Sequence, residues 1–311
     1  MQISCVKSVS SVFLNGLEEA VKIIAQIEQS SDDEISLCFG ESIFVTPLFM
    51  SAVLIKLLSV DKKVLLTTNN YLSTVHFDSY GLQLDSPEAT SDCFKAFEKK
   101  TYLPILRFTT EGRGVQRGSH IGSSVAEFLK RRASLPTEIH TALTYLISET
   151  IDNILEHACS KCGYISCQAY PRLGYIDLSI FDSGISLIGS FRESGRMDET
   201  NSDTEAMEAI INDQVSTKNL PGAENRGFGI RTSRKMLVNG LGGEYLIYSG
   251  CALFVSNPKG ERIMGLPSSI GVRGTLVAMR TLQRYELISN KQHRRSRHSC
   301  SDAYSYQQER I

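Results

Sequence analysis

The segment TEIHTALTYLISETIDNILEHA, residues 137–158, is the strongest constraint in the chain because its periodicity fits only one kind of element. At 3.6 residues per turn, Leu143, Ile147, Thr150, Ile151, Ile154 and Ala158 fall on a single apolar arc, as expected of a helix laid on a sheet. Beside that arc runs a polar stripe of Glu149, Asn153, Glu156 and His157. Glu156 and the neighbouring Asp152 read as solvent-facing. Asn153 asks for more, since asparagine is a poor helix former whose amide seeks partners. A metal ion and phosphate oxygens would supply them.

Three further segments follow in an order that suits the same chemistry. IFDSG ends a strand with Asp182 and Gly184, so that a carboxylate is held at a strand end and the glycine leaves room for a flat ring against the backbone. NRGFGIRTSRKML sets Gly227 and Gly229 immediately before a helix, where free N–H groups and the helix dipole attract phosphate. RGTLVAM then brings back a strand carrying Thr275, whose hydroxyl is suited to complete the contact to a base. Between them, residues 185–226 form a long polar stretch with one short helical pattern, TEAMEAIIND. Its Lys218 is the cation expected to fold onto a terminal phosphate when the stretch closes as a lid; the bland alternative is a solvated lysine.

Earlier in the chain, residues 11–29 read as an amphipathic helix, EISLCFG as a strand, PLFMSAVLIKLLS as a helix with Pro47 in its first turn, and KKVLLTT as a second strand. A short helix, YLSTVHFDSYG, is expected next. This alternation implies a small α/β domain over 1–98, a connector over 99–118, a larger unit over 119–283 and a basic, polar tail over 284–311. The larger unit is expected to contain helices at 120–133, 137–158 and 229–239. Its expected strands are YISCQAY, YIDLSIFD, GEYLIYSG, CALFVSN and GTLVAMR.

Composition excludes several classes. The 311 residues carry 33 Lys and Arg against 34 Asp and Glu, so no global field recruits nucleic acid or an anionic membrane. The tail's arginines read as a solvated end, not an RNA contact. The most apolar stretch, residues 43–60, is interrupted by Pro47 and Lys56 and reads as a buried helix instead of a membrane span. The first residues lack the features of a signal peptide, and the eight scattered cysteines fit free thiols, so a cytoplasmic location is expected. Cys159, Cys162 and Cys167 have a zinc-like spacing but no second pair, and zinc is the minor reading.

With the motifs ETIDN, DSGIS and GFG in this order, the chain resembles the GHKL ATPases over roughly residues 119–283. That group includes DNA gyrase, heat-shock chaperones, mismatch-repair ATPases and histidine kinases. The resemblance implies a Bergerat-type α/β sandwich, with helices packed on one face of a mixed sheet, that binds ATP with magnesium. It implies that Glu149 is the catalytic base, Asn153 the magnesium ligand, Asp182 the partner of the adenine amino group, and Gly227 and Gly229 part of the lid over the triphosphate. The second glycine of the family's DxGxG motif is Ser186 here, which alters the entry to the lid. SETIDNILEHA is similar to the anti-sigma-factor serine kinases, whose partners have the STAS fold. The front domain resembles that fold too, over about residues 30–98. By that likeness the phosphate acceptor would lie near Thr46, where Pro47 stiffens the turn.

The expected function is therefore regulatory ATP hydrolysis, or transfer of the γ-phosphate to a protein hydroxyl. A nucleotide-gated interaction module with little turnover is the alternative. The expected partners are ATP and a protein partner or the chain's own STAS-like domain, without nucleic acid or membrane; a homodimer is left open. A Rossmann reading of GFGIRT fails for want of a third glycine and a preceding strand, and Walker A is absent. A histidine kinase would need an acceptor on a separate helical hairpin, whereas His140 lies on the same helix as Glu149.

Overall fold

A computed structural model of the chain describes residues 1–5, 12–39, 45–68, 82–112, 118–199, 201–212 and 229–283. The architecture is mixed α/β, with a small parallel sheet and a large antiparallel one. The expected helix at 71–81, the tail over 284–311 and most of the second half of the lid, with Lys218 and Gly227, lie outside the described residues.

The small sheet has the order β1 (Gln2–Cys5), β2 (Glu34–Phe39), β3 (Lys63–Thr68), all parallel. Its crossovers contain α1 (Phe13–Gln29) and α2 (Pro47–Leu57), as parallel neighbours require. Helix α2 is apolar all round and ten of its eleven residues are buried, so it must be covered on every side. Thr46 starts it: the hydroxyl accepts from the Phe49 N–H at 3.2 Å, and Pro47 occupies the first helical position, where no N–H is needed.

The large sheet runs β4 (Tyr102–Thr109), β5 (Cys162–Tyr170), β6 (Tyr175–Asp182), β10 (Val272–Leu282), β7 (Glu244–Gly250), β8 (Ala252–Asn257), β9 (Gly260–Gly265). Every pairing in it is antiparallel, where a mixed sheet was expected. The cause is local: tight turns join β5 to β6, β7 to β8 and β8 to β9, and such turns can only reverse the chain.

Nor are helices confined to one face. Along β5 and β6 every residue but Cys162 is buried, so both faces need cover. Ile165, Cys167, Ile176, Leu178 and Ile180 join one core with α4 (Gly118–Ala133) and α5 (Thr137–His157). Tyr164, Phe181, Leu246, Tyr248 and Leu276 belong to a second core with α1 and α2. Ser51 of α2 meets Ser179 of β6 at 2.7 Å, and Ser179 meets Ser166 of β5 at 2.9 Å, so the polar side chains inside this second interface satisfy one another.

The segment 99–118, read as a strand and turn that connect the two units, contributes strand β4. Leu84 and the flank of α3 (Pro87–Ala96) pack into the first core beside α4, because Phe94 meets Phe128 edge-on with ring centroids 6.0 Å apart. The lid region also has more structure than its polarity suggests. Helix α6 (Leu187–Glu193) lies against α7 (Asp203–Ile211) through Ile188, Phe191, Ala206 and Ala209. Helix α8 (Gly229–Lys235) continues into a π-helical turn, Met236–Gly240. Among the described residues, no helix is long and apolar enough to cross a membrane.

One buried ion pair lies on the face of the large sheet that α1 covers. Arg280 of β10 donates to both carboxylate oxygens of Asp177 on β6, at 2.6 and 2.7 Å, and its guanidinium stacks 3.9 Å from the Tyr175 ring and 5.2 Å from that of Phe13 on α1. Removing one member of such a pair strands the other charge. Arg280→Met is therefore expected to cost about 3–5 kcal/mol of unfolding free energy in urea titration. Lys63→Met, which breaks the exposed pair with Glu34, should change little. A loss at Arg280 as small as that at Lys63 would contradict the assignment.

Candidate functional site

The polar stripe of α5 faces the start of α8. A Cβ built on Gly229 would lie 2.8 Å from Glu149 Oε2 and 3.6 Å from Asn153 Nδ2, so Gly229, distant in sequence, meets this pair from successive turns of α5. Any side chain at position 229 would crowd the carboxylate. The absence of one lets the α8 backbone approach the stripe closely. Tyr145, one turn before Glu149, extends the stripe, and burial together with the Glu149 charge raises its phenol pKa.

Asp152 is not a simple solvent-facing residue, as its sequence position suggested. Its Oδ1 accepts from the Gly118 N–H at 2.9 Å and thereby ties the first turn of α4 to α5. Glu156 and His157 stand 3.6 Å apart at the other end of the helix.

The second part of the site forms where β6 ends. Asp182 is 2% exposed, and its Oδ1 accepts from the Gly184 N–H at 2.8 Å. Burial pushes its carboxyl up to about 7, against the opposing pull of backbone N–H groups from Gly184, Thr275 and Asp182 itself. The backbone at Gly184 is closely approached. The volume its Cβ would fill is occupied by the Ala158 carbonyl oxygen, 1.8 Å from the ideal Cβ position. The next residue seals this approach, as the Ile185 N–H donates to the same carbonyl at 2.8 Å. Gly184 is thus where the end of β6 docks on the end of α5.

Two residues not singled out in the sequence complete this corner. Gly274, with φ +90°, lies against Asp182: a Cβ there would be 2.2 Å from the Asp182 carbonyl oxygen. Ser249 of β7 meets Thr275 Oγ1 at 2.9 Å and accepts from the Leu187 N–H at 2.9 Å, which fixes the threonine hydroxyl and the start of α6 together. The only sequence signal for them is the small residue ahead of Thr275 and the serine at a strand end. Ser186, standing where the DxGxG motif has its second glycine, is the N-cap of α6. The stretch after Asp182 consequently opens with a capped helix.

The cysteine cluster separates. Cys162 packs toward the second core and Cys167 toward the first, as alternation along β5 dictates, while Cys159 donates to Glu193 at 3.0 Å. Burial pushes the Cys167 thiol up to about 12, unsuited to a thiolate ligand. Among the described residues no cluster of three or more His, Cys, Asp or Glu side chains is placed to hold a metal ion. Comparisons of this chain with protein families, with curated proteins and with solved structures find no match.

Two outcomes follow from this geometry. Gly184→Ala should cost about 1–3 kcal/mol, because the β6 end must withdraw from α5; an unchanged urea midpoint would contradict the close approach. The pH dependence of Asp182 has a definite sign. With its folded pKa near 7 and its unfolded value near 3.8, the folded state binds the extra proton, so stability is fullest at low pH and is lost as pH rises through about 7. Asp182→Asn cannot titrate, so its stability relative to the wild type should increase between about pH 5 and about pH 8. A difference that stays flat, or shrinks, would contradict the burial argument.

Proposed function

We propose that the chain binds ATP with magnesium as a GHKL-type ATPase, in the space bounded by the α5 stripe, the start of α8 and the end of β6. The observation that carries this reading is the convergence of Glu149 and Asn153 on Gly229. These residue types meet at a helix start beside a second, buried carboxylate at a strand end. Asn153 lies five residues before Ala158, about 7.5 Å along the helix axis, and Ala158 abuts the loop after Asp182. That separation suits a base at Asp182 and phosphates at Asn153.

The residues fit such a ligand. Asp182 keeps an acceptor at the edge of a desolvated corner, where a hydrogen bond from an exocyclic amino group counts for more than in water. Thr275, held by Ser249, offers a hydroxyl beside it. Asn153 supplies a neutral oxygen ligand. Bound magnesium would neutralise phosphate charge, as it does in phosphoryl transfer generally. Glu149 would take the proton from the attacking water, and Lys218 and Gly227 would close over the phosphates.

Hydrolysis is favoured over transfer to the chain's own Thr46. That residue is 3% exposed, and its hydroxyl is engaged in capping α2. The front unit, read as STAS-like, then acts as a responder. A specific contact supports this second aspect, nucleotide gating: Ser51 of α2 bonds to Ser179, three residues before Asp182 on the same strand.

Glu149→Ala should bind ATP almost as the wild type does but lose turnover by about 100-fold, the usual contribution of a positioned base. Asp182→Asn should lose about 1–3 kcal/mol of ATP affinity by calorimetry. Wild-type affinity should also weaken as pH falls below about 7, since a protonated Asp182 no longer accepts at both oxygens. Unchanged affinity in Asp182→Asn would remove the adenine assignment. Wild-type turnover no greater than that of Glu149→Ala, with binding intact, would leave the gated module.

A further inference from the structure

A second cleft lies on the far side of α4, between that helix and α3, with a volume of about 530 Å³. Its floor is aromatic. Phe94 and Phe128 meet edge-on there, and the Arg132 guanidinium lies 5.2 Å from the Phe128 ring centroid. Thr90, Ser91 and Ser124 line the walls.

The rim is basic in a chain whose net charge is only −1. Lys95 and Arg131 stand exposed on its two sides. The last turn of α4 carries Lys130, Arg131 and Arg132, and Lys99 and Lys100 follow α3. These two ends are held together by the Arg132 Nε–H, which donates to the Lys100 carbonyl at 2.9 Å. Three cations, Lys95, Arg131 and Arg132, line the opening with two acids, Glu98 and Glu127, while Lys99, Lys100 and Lys130, and one further acid, Asp92, flank it in the chain. Two of the acids are spent locally, Asp92 on Lys95 at 3.0 Å and Glu127 on Arg131 at 3.1 Å. Such exposed pairs are weak and exchange readily for a better-placed carboxylate.

We propose that this cleft docks an acidic peptide segment of a partner protein, with an apolar side chain of the segment on the Phe94 and Phe128 floor and its carboxylates on Lys95, Arg131 and the neighbouring cations. Charge complementarity selects the sign of the occupant, and the aromatic floor selects a side chain over a bare anion. The three interspersed acids argue against a nucleic-acid backbone, which favours an uninterrupted basic stripe. The volume matches what a few side chains fill. This inference is independent of the nucleotide reading, since neither the α5 stripe nor Asp182 lines the cleft.

The test uses the full chain and a fluorescently labelled peptide that alternates Glu with Leu and Phe, followed by anisotropy. Saturable binding is expected, weakened about tenfold or more by the double substitution Lys95→Glu with Arg131→Glu and by about 0.5 M salt. Both positions are exposed, and an unchanged thermal midpoint would confirm that the variant folds. An all-Glu peptide of equal length should bind about tenfold more weakly, because it leaves the floor uncovered. The proposal is overturned if the mixed peptide does not bind, if charge reversal has no effect, if the all-Glu peptide binds equally well, or if a uridine oligonucleotide or anionic vesicles bind more tightly at this site than the peptide.

Discussion

A sheet whose central strands are apolar on both faces cannot stand beside solvent, and that requirement organises this molecule. Strands β5 and β6 bury their side chains alternately upward and downward. The upward set calls for α4 and α5, the downward set for α1 and α2. Because α2 is itself apolar all round, it serves the small parallel sheet and the large sheet at once. The front unit is therefore the second cover of the same sheet, joined to it by the Ser51–Ser179 contact and by Arg280, whose charge is shared among Asp177, Tyr175 and Phe13.

This double cover positions the candidate site. Strand β6 is fixed from both sides along its length, so its end is a firm platform for Asp182, and the Gly184 backbone can dock directly on the Ala158 carbonyl at the end of α5. The helix that carries Glu149 and Asn153 and the strand that carries Asp182 are thus locked in register. A buried carboxylate pushed to about 7 costs stability at neutral pH.

Much of this was legible in the sequence. The α5 stripe, the carboxylate at the end of β6, the threonine of β10 and the glycine at the start of α8 were found from residue type and order, and the structure gathers Glu149, Asn153 and Gly229. The extents of α1, α2, β2, β3 and β6 follow from periodicity and the Thr46–Pro47 start. The misses have physical causes. Strand β9, GERIMG, is an edge strand with a mostly exposed pattern, so no alternation marks it. Helix α3 is polar overall, although Ser86 and Pro87 do signal its start. Ser186 departs from the glycine of the motif, and its cap on α6 depends on the helix that follows it. The role of Gly184 depends on which backbone arrives beside it, and no local pattern encodes that. The short turns between β5 and β6, β7 and β8, and β8 and β9 require antiparallel pairing, whereas the resemblance implies a mixed sheet.

The proposed contact of Asp182 with adenine would discriminate between purines, which no general affinity for phosphate would do. The direct measurement is calorimetric titration of the full chain with magnesium ATP and, separately, with magnesium GTP at about pH 8, where the carboxylate is ionised. A carboxylate placed to accept from the amino group of adenine meets a carbonyl oxygen in guanine, and that mismatch repels. The account predicts that ATP binds at least about tenfold more tightly than GTP. Equal affinities, or no saturable binding of either nucleotide, would contradict it.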